Sequence, residues 1–348
     1  MKGFVSIWLG LSLGSFLTLA HTETAFAQFF KGKTIRLIVS SSPGGGNDMY
    51  SRLLARHITR YIPGKPRIVV ENMPGGGGLV ALNYLYEQAR RDGTVMEQIQ
   101  WGAWHYQGIK DDRARFDMTK INAVGAVVIE NAMIYARTDR YKSLDEIRQS
   151  GKLATVGVSG RQSTGFVLGR LIERVMGVKL FDFVMGYPGA RQYSLALRQG
   201  ELDVSSNTKS SFLDQLGDML KDGKLTVLAQ AGTMKGERDK DFPNVPTIKE
   251  IATSEKGKEI ADMALFFSHY GRPYAMPQDV PAERVKVIRD AFNKTMEDPK
   301  FLAEAKKLRR PVDPLSGEEL QQVFNRDVNP KPEMFELVSE IFRPGKKK

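Results

Sequence analysis

Thr34-Ile35-Arg36-Leu37-Ile38-Val39, followed by Ser40-Ser41-Ser42-Pro43-Gly44-Gly45-Gly46-Asn47-Asp48, decides the fold. The first six residues are a short apolar run with β-branched members, the pattern of a buried strand. The serines, proline and glycines turn the chain. Asn47 or Asp48 then caps a helix carrying Met49, Leu53, Leu54, Ile58 and Ile62 at helical spacing, which Pro63-Gly64 ends. The unit recurs: Arg67 to Val70 reads as a strand, Gly75-Gly76-Gly77-Gly78 as a glycine loop, and a helix continues to about Arg91. Asp92-Gly93 leads into a third strand, Thr94 to Ile99. Such repetition specifies an α/β architecture with a parallel sheet, whose ligands gather at the carboxyl ends of its strands.

Further along, Leu153 to Val158 reads as a strand, Ser159 to Gly165 as a small-residue loop, and Phe166 to Met176 as a helix. Lys179 to Met185 is another strand, leading through Gly186-Tyr187-Pro188-Gly189 to a helix that stops at Gly200. Leu202-Asp203-Val204 and Leu225 to Ala229 are short strands, and three helices follow: Ala282 to Met296, Pro299 to Leu308 and Ser316 to Phe324. At the other end, Lys2, the uncharged run Gly3 to Ala20 and Ala25-Phe26-Ala27 have the order of a secretory leader. Cleavage near Ala27 makes residues 1–27 a signal peptide and the periplasm the expected compartment. An uncleaved anchor is the competing reading, against which stand Gly10, Gly14, the serines and the small-residue cleavage site.

Several chemistries are excluded by composition. The 348 residues contain no cysteine, so there is no disulfide frame, thiol nucleophile or cysteine-ligated metal. Of four histidines, His57, His105 and His269 follow the leader without metal-ligand spacing, and His57 sits in a charged helix where a surface position is expected. Neither metal nor cofactor is expected. Gly32-Lys33-Thr34 lacks the earlier glycine of a P-loop. Gly76-x-Gly78-x-x-Ala81, with Glu97 further on, matches a dinucleotide fingerprint, yet four residues including Pro74 separate the glycines from the strand. Around Ser159 and Ser163 two nucleophile-elbow patterns each miss one glycine, because Arg161 occupies the place. An exported hydrolase or NAD-dependent oxidoreductase is therefore the alternative reading. The formal charge of +11 suits attraction of small anions, whereas nucleic-acid motifs are lacking. Glycine loops that open helices present free N–H groups and a positive dipole end, which together hold a carboxylate; their plainer reading is tight turns.

Ser42-Pro43-Gly44-Gly45-Gly46-Asn47-Asp48 with Arg52 resembles the P-P-G-G-x-x-D…R motif of the Bug or TctC family, the extracytoplasmic solute receptors of tripartite tricarboxylate transporters. Val69-Val70-Glu71-Asn72-Met73-Pro74-Gly75-Gly76-Gly77-Gly78 resembles that family's V-V-E-N-x-P-G-A-G-G block, and Asp92-Gly93-Thr94 its D-G-Y-T block. Later landmarks occur in order: Ser163-Thr164, Gly177-Val178, Tyr187, Gly189, Gly200-Glu201-Leu202-Asp203 and Phe242 to Thr247. The resemblance implies a type II periplasmic-binding-protein-like α/β fold: two lobes, a hinge and a cleft that closes on a small carboxylate without catalysis. Lobe 1 would comprise 28–130 with 230–348 and lobe 2 residues 131–229, joined near Val127 to Met133 and Val227 to Gly232. The implied partners are a small organic mono- or dicarboxylate and the membrane subunits of a transporter or a sensor, with the receptor a monomer.

Carried over by position, the loop Ser42, Gly44, Gly45, Gly46, Asn47 and Asp48 would grip one carboxylate together with Ser163 and Thr164. Asp48 is expected to cap its helix, since a second anion in the cleft would repel the ligand. Gly189 is a further amide donor, and Asn207 a wall contact. The chain departs from the family's G-N-G-S-T-S-H at Gly160-Arg161-Gln162-Ser163-Thr164-Gly165-Phe166. Arg161 either pairs with a second carboxylate or faces solvent. Trp101, Trp104, His105 and Tyr106 either line the cleft, favouring an aromatic or bulky acid, or pack beneath the hinge.

Overall fold

The computed structural model describes residues 29–327 apart from 101, 103, 104, 162, 234, 235, 269 and 270, and beyond them only 336 and 339. The leader and the C-terminal tail lie outside the described residues. Eleven strands follow in chain order among those described: β1 Thr34–Val39, β2 Arg67–Asn72, β3 Val95–Gln98, β4 Asn122–Ala126, β5 Ala132–Arg137, β6 Ala154–Val158, β7 Phe181–Met185, β8 Val204–Thr208, β9 Leu225–Gln230, β10 Pro273–Met276 and β11 Leu315–Ser316. They form two sheets, one in the order β11-β4-β10-β3-β1-β2 and the other β7-β6-β8-β5-β9.

In the first sheet β1 lies between β2 and β3, parallel to both. Ile35, Leu37, Ile38 and Val39 are buried, whereas Thr34 is exposed and Arg36 half-buried beside Glu71, so the strand reads as apolar mainly toward its carboxyl end. Ile35 and Leu37 pack with Tyr50, Leu53 and Leu54 of the helix Gly46–Ile58, and with Ile288 and Phe292 of Ala282–Met296. Ile38 packs on the opposite face with Leu79, Leu82 and Leu85 of the helix Leu79–Glu87. The second sheet repeats the scheme around β6. The helix Thr164–Met176 covers one face through Leu168, Leu171 and Ile172. The helices Ala190–Gln199 and Lys209–Lys221 cover the other through Leu197, Phe212 and Leu216, with Phe212 stacked on Tyr135 at 4.2 Å.

Two expectations are corrected. The strands outside the glycine-loop units run antiparallel: β10 to β3 and β4, and β5 to β8 and β9. They belong to the crossings between lobes, where the repeating unit that signals a parallel sheet is interrupted. After β9, the helices Ile248–Ile251 and Glu255–Ser268 stay packed on Thr164–Met176, and the chain rejoins the first sheet only at Pro273. There Arg272 N–H donates to Val128 O and Val127 N–H to Arg272 O. Gly271, with φ +49°, crosses Val128 so closely that a Cβ would fall 1.6 Å from its carbonyl oxygen. His57 is buried, at 6% exposure, because helix Pro299–Lys307 lies over it and Glu304 pairs with its Nε2.

Candidate functional site

A cavity of about 430 Å3 opens between the sheets, at the carboxyl ends of the parallel strands. From the first sheet it takes Ser40, Ser41, Ser42, Gly45, Gly46 and Asn47 after β1, Pro74 to Gly77 after β2, and Gln100 after β3. The second contributes Ser159, Ser163 and Thr164 after β6, Gly186 to Ala190 after β7, and Asn207, Thr208 and Ser211 from β8 and its helix. Tyr193 and the crossing residues Gly271 and Arg272 complete the wall. Helices begin here at Gly46, Thr164, Ala190 and Lys209, so positive dipole ends from both lobes meet around one space; at the last of them Lys209 N–H already donates to Asn131 O and Ser210 N–H to Glu130.

The first loop is held from behind. Its N-cap is Gly45, and Asp48, three residues into the turn, accepts from Gly44 N–H at 2.9 Å. Neither Asn47 nor Asp48 therefore caps the helix, contrary to expectation: the Asp48 carboxylate reaches back past the N-cap to the preceding residue and ties the loop to the first turn. Its carboxylate also accepts from Arg52 Nε and Asn72 Nδ2, and Asn72 holds Ser41 O. Burial alone would raise the Asp48 pKa; the bonds from Arg52, Gly44 and Asn72 outweigh it and hold the carboxyl below its ordinary value. With 2% exposure and no place in the lining, Asp48 is a brace for the loop. Gly44 also lies outside the lining and carries Arg191 of the opposite lobe against it, where a Cβ would come 2.6 Å from Nη1.

Other expected residues are brought together. Ser42, Gly45, Gly46, Asn47, Ser163, Thr164, Gly189 and Asn207 all line the cavity. Asn47 donates to Gln100 Oε1 at 2.9 Å. Ser163 closes its loop by donating to Gly160 O at 2.7 Å. Asn207 is fixed by Tyr193 OH, which donates to Oδ1 at 2.9 Å, while its own Nδ2 donates to Tyr135 OH at 3.1 Å. Gly189 approaches Ser42 closely enough that a Cβ would lie 2.4 Å from Oγ.

Arg161 is placed elsewhere: its guanidinium lies 5.3 Å from the Phe166 ring centroid, it is absent from the lining, and burial lowers its pKa. Trp101, Trp104 and the His105 side chain fall outside the described residues, whereas Tyr106 is buried in the core beneath Arg113.

Arg272 is the functional-site residue that sequence reasoning missed. It is 4% exposed and is the one charged side chain among the lining residues. Nη2 donates to Glu130 Oε2 at 2.9 Å, Thr208 Oγ1 at 2.9 Å and Ser211 Oγ at 3.1 Å, and Nη1 donates to Asn47 Oδ1. Glu130 Oε1 in turn accepts from Ser210 N–H at 2.9 Å. The guanidinium carbon stands 4.7 Å from the Tyr50 ring centroid. Arg272 stands between Gly271 and the strand Pro273–Met276, and a glycine before and a proline after it give a poor strand signal. The described lining holds no histidine, carboxylate or lysine, so it offers hydrogen-bond donors and dipoles and lacks a strong general base.

This arrangement has counterparts. The malate-bound MatC of Rhodopseudomonas palustris superimposes with a TM-score of 0.68 at 18% identity, covering 88% of this chain and 99% of that one. The periplasmic binding protein BugD gives 0.69 at 19% identity, covering 89% and 97%. A UPF0065 protein from the gbd 5' region of Cupriavidus necator is 25% identical over 292 residues, 81% of this chain and 80% of its own length. The fold is that of a two-lobed periplasmic binding protein, and the family is one of receptors, not enzymes, which removes the hydrolase and oxidoreductase alternative. The family model described as tripartite tricarboxylate transporter family receptor matches residues 52–329, and the chain belongs to that family of extracytoplasmic receptors.

Proposed function

We propose that this receptor captures a small organic carboxylate in the interlobe cavity and presents the closed form to the membrane subunits of its transporter or to a sensor. The observation that carries the reading is convergence: helix starts from both lobes point their donors into one space, while the nearby carboxylate, Asp48, is turned away and neutralised by Arg52. Malate in the related MatC supports it. A ligand that bonds both sets of amides only when the lobes meet has higher affinity for the closed state and draws the protein into it. Closure is supported away from the cavity by buried Arg310, whose Nη2 lies 2.7 Å from Asp214 on the opposite lobe.

In this reading the loop Ser42 to Asn47 and Ser163-Thr164 hold one carboxylate, Gly189 adds an amide, and Asn207 forms a wall. Lobe 2 starts at residue 131 and holds the second sheet, together with the helices through Ser268 that pack on it; the other described residues form lobe 1. The mature protein begins after Ala27 and works as a monomer in the periplasm.

A thermal-shift screen of mono- and dicarboxylates tests the reading. A true ligand at about 100 times its dissociation constant adds about 2.7 kcal/mol of stability and is recovered unchanged. Absence of stabilisation across the panel, or conversion of a bound compound, would contradict it.

A further inference from the structure

We propose that Arg272 is the specificity-determining cation of the cavity and that Glu130 is its internal counter-ion, so that the ligand's carboxylate shares Arg272 with Glu130. The inference rests on the carboxylate reading above and adds a residue outside the glycine loops. Three observations carry it. Arg272 is the sole charged side chain of the described lining, and it touches both helix starts that face each other across the crossing: Asn47 on one side, Thr208 and Ser211 on the other. A Cβ on Gly46 would fall 2.5 Å from Arg272 Nη2, which puts the guanidinium against the first loop itself.

The charges around it do not balance. Arg272 and the starts of Gly46–Ile58 and Lys209–Lys221 all contribute positive potential, against which Glu130 is a single carboxylate divided between Arg272 and Ser210 N–H. Finally, two donors of the lining are buried without a hydrogen-bond partner, Arg272 Nε–H and the Ser41 hydroxyl. Buried donors are costly to leave unsatisfied, so a small shift that lets either reach an anionic oxygen is favoured. An anionic oxygen satisfies both the hydrogen bond and the excess charge.

The test is isothermal titration of succinate, malate and adipate into the wild-type protein, Arg272→Gln, Glu130→Gln and the double variant, with melting temperature and circular dichroism confirming the fold of each. Arg272→Gln is expected to weaken the best of these ligands about ten- to a hundredfold. Glu130→Gln, which removes the competing carboxylate, binds no more weakly than wild type, and the double variant remains as weak as Arg272→Gln. The double variant also guards against a folding artefact, because it leaves no buried charge unpaired. Equal weakening by Glu130→Gln and Arg272→Gln, or recovery of wild-type affinity in the double variant, would show that the pair only positions the lobes and overturn the inference. Unchanged affinity in all variants would do the same. Failure of the wild type to bind any of the three would instead count against the carboxylate reading itself.

Discussion

Two carboxylate–arginine pairs flank the cavity, and they do opposite things. Asp48–Arg52 lies behind the first loop, with the carboxylate buried and Arg52 reaching toward solvent. Glu130–Arg272 lies in the crossing, with both side chains at most 5% exposed. The first pair fixes backbone so that its amides point forward; the second places charge on the wall. A motif of aspartate followed four residues later by arginine is local and periodic, so a sequence displays it. The other pair is separated by 142 residues and exists only once two crossings run side by side.

The largest effect on this comparison is expected at the point where the lobes touch. Gly46→Ala would bring a Cβ to 2.3 Å from Ser211 Oγ and 2.5 Å from Arg272 Nη2. Since Gly46 is the first residue of an ordinary helix, the backbone tolerates alanine; the clash with Ser211 falls on closure, while that with Arg272 displaces the guanidinium itself. Ligand affinity should drop about tenfold to a hundredfold. Unaltered affinity would separate closure from this contact.

Removing the brace should act on stability first. Asp48→Ala leaves Gly44 N–H and Asn72 Nδ2 without their acceptor, at a cost of about 1–3 kcal/mol measured by urea unfolding. The pH dependence follows the same bond. Because the folded-state pKa of Asp48 is depressed, its contribution is complete above the ordinary carboxylate pKa of about 3.9 and is lost as pH falls through the lower value. Wild type should therefore lose stability on acidification more steeply than Asp48→Asn. Parallel curves would deny Asp48 its role as a brace.

Glu97 sharpens the comparison as a buried carboxyl with no arginine. In the middle of β3 it is fully buried, neither oxygen has a hydrogen-bond partner, and burial drives its pKa well above the ordinary range. Here the sign reverses: the neutral acid is tolerated, and stability is lost as pH rises through the raised value. Glu97→Met should stabilise the protein by about 1–2 kcal/mol at neutral pH, and a destabilised variant would reveal a partner for the carboxyl. The smallest effect is expected at Tyr193→Phe, which removes the hydroxyl holding Asn207 and should cost about 1 kcal/mol of binding or stability.

How much of this was legible follows from where the signals lie. β1 spans the residues its apolar run predicts, because Ile35, Leu37, Ile38 and Val39 are all buried and only Thr34 and Arg36 are not. The glycine loops announced the cleft because helix starts at strand ends are encoded within a few residues. Ser42, Gly45, Gly46, Asn47 and Gly189 lie at such helix starts, Ser163, Thr164 and Asn207 follow from position in the family pattern, and all of them line the cavity. Arg272 was not legible, since the strand after it pairs antiparallel with partners more than a hundred residues away and opens with proline. Asp48 stands in the first turn, where a side-chain cap is expected, but the N-cap is Gly45, and the bond from Gly44 N–H to Asp48 depends on the loop's three-dimensional course. His57 looked exposed because its helix is charged, and the charge turned out to meet Glu304 and Asp298 from a packed neighbour. Arg161, read as a choice between a ligand clamp and a solvent-facing residue, lies over an aromatic ring that only the fold brings beneath it.

The most direct measurement of the central claim is a crystal structure of the protein with its tightest-binding carboxylate. The account predicts carboxylate oxygens about 2.7–3.2 Å from main-chain N–H groups at the start of Gly46–Ile58 and from the Ser163-Thr164 loop of the other lobe at the same time. A carboxylate held by one lobe alone, or bound outside this cavity, would contradict it.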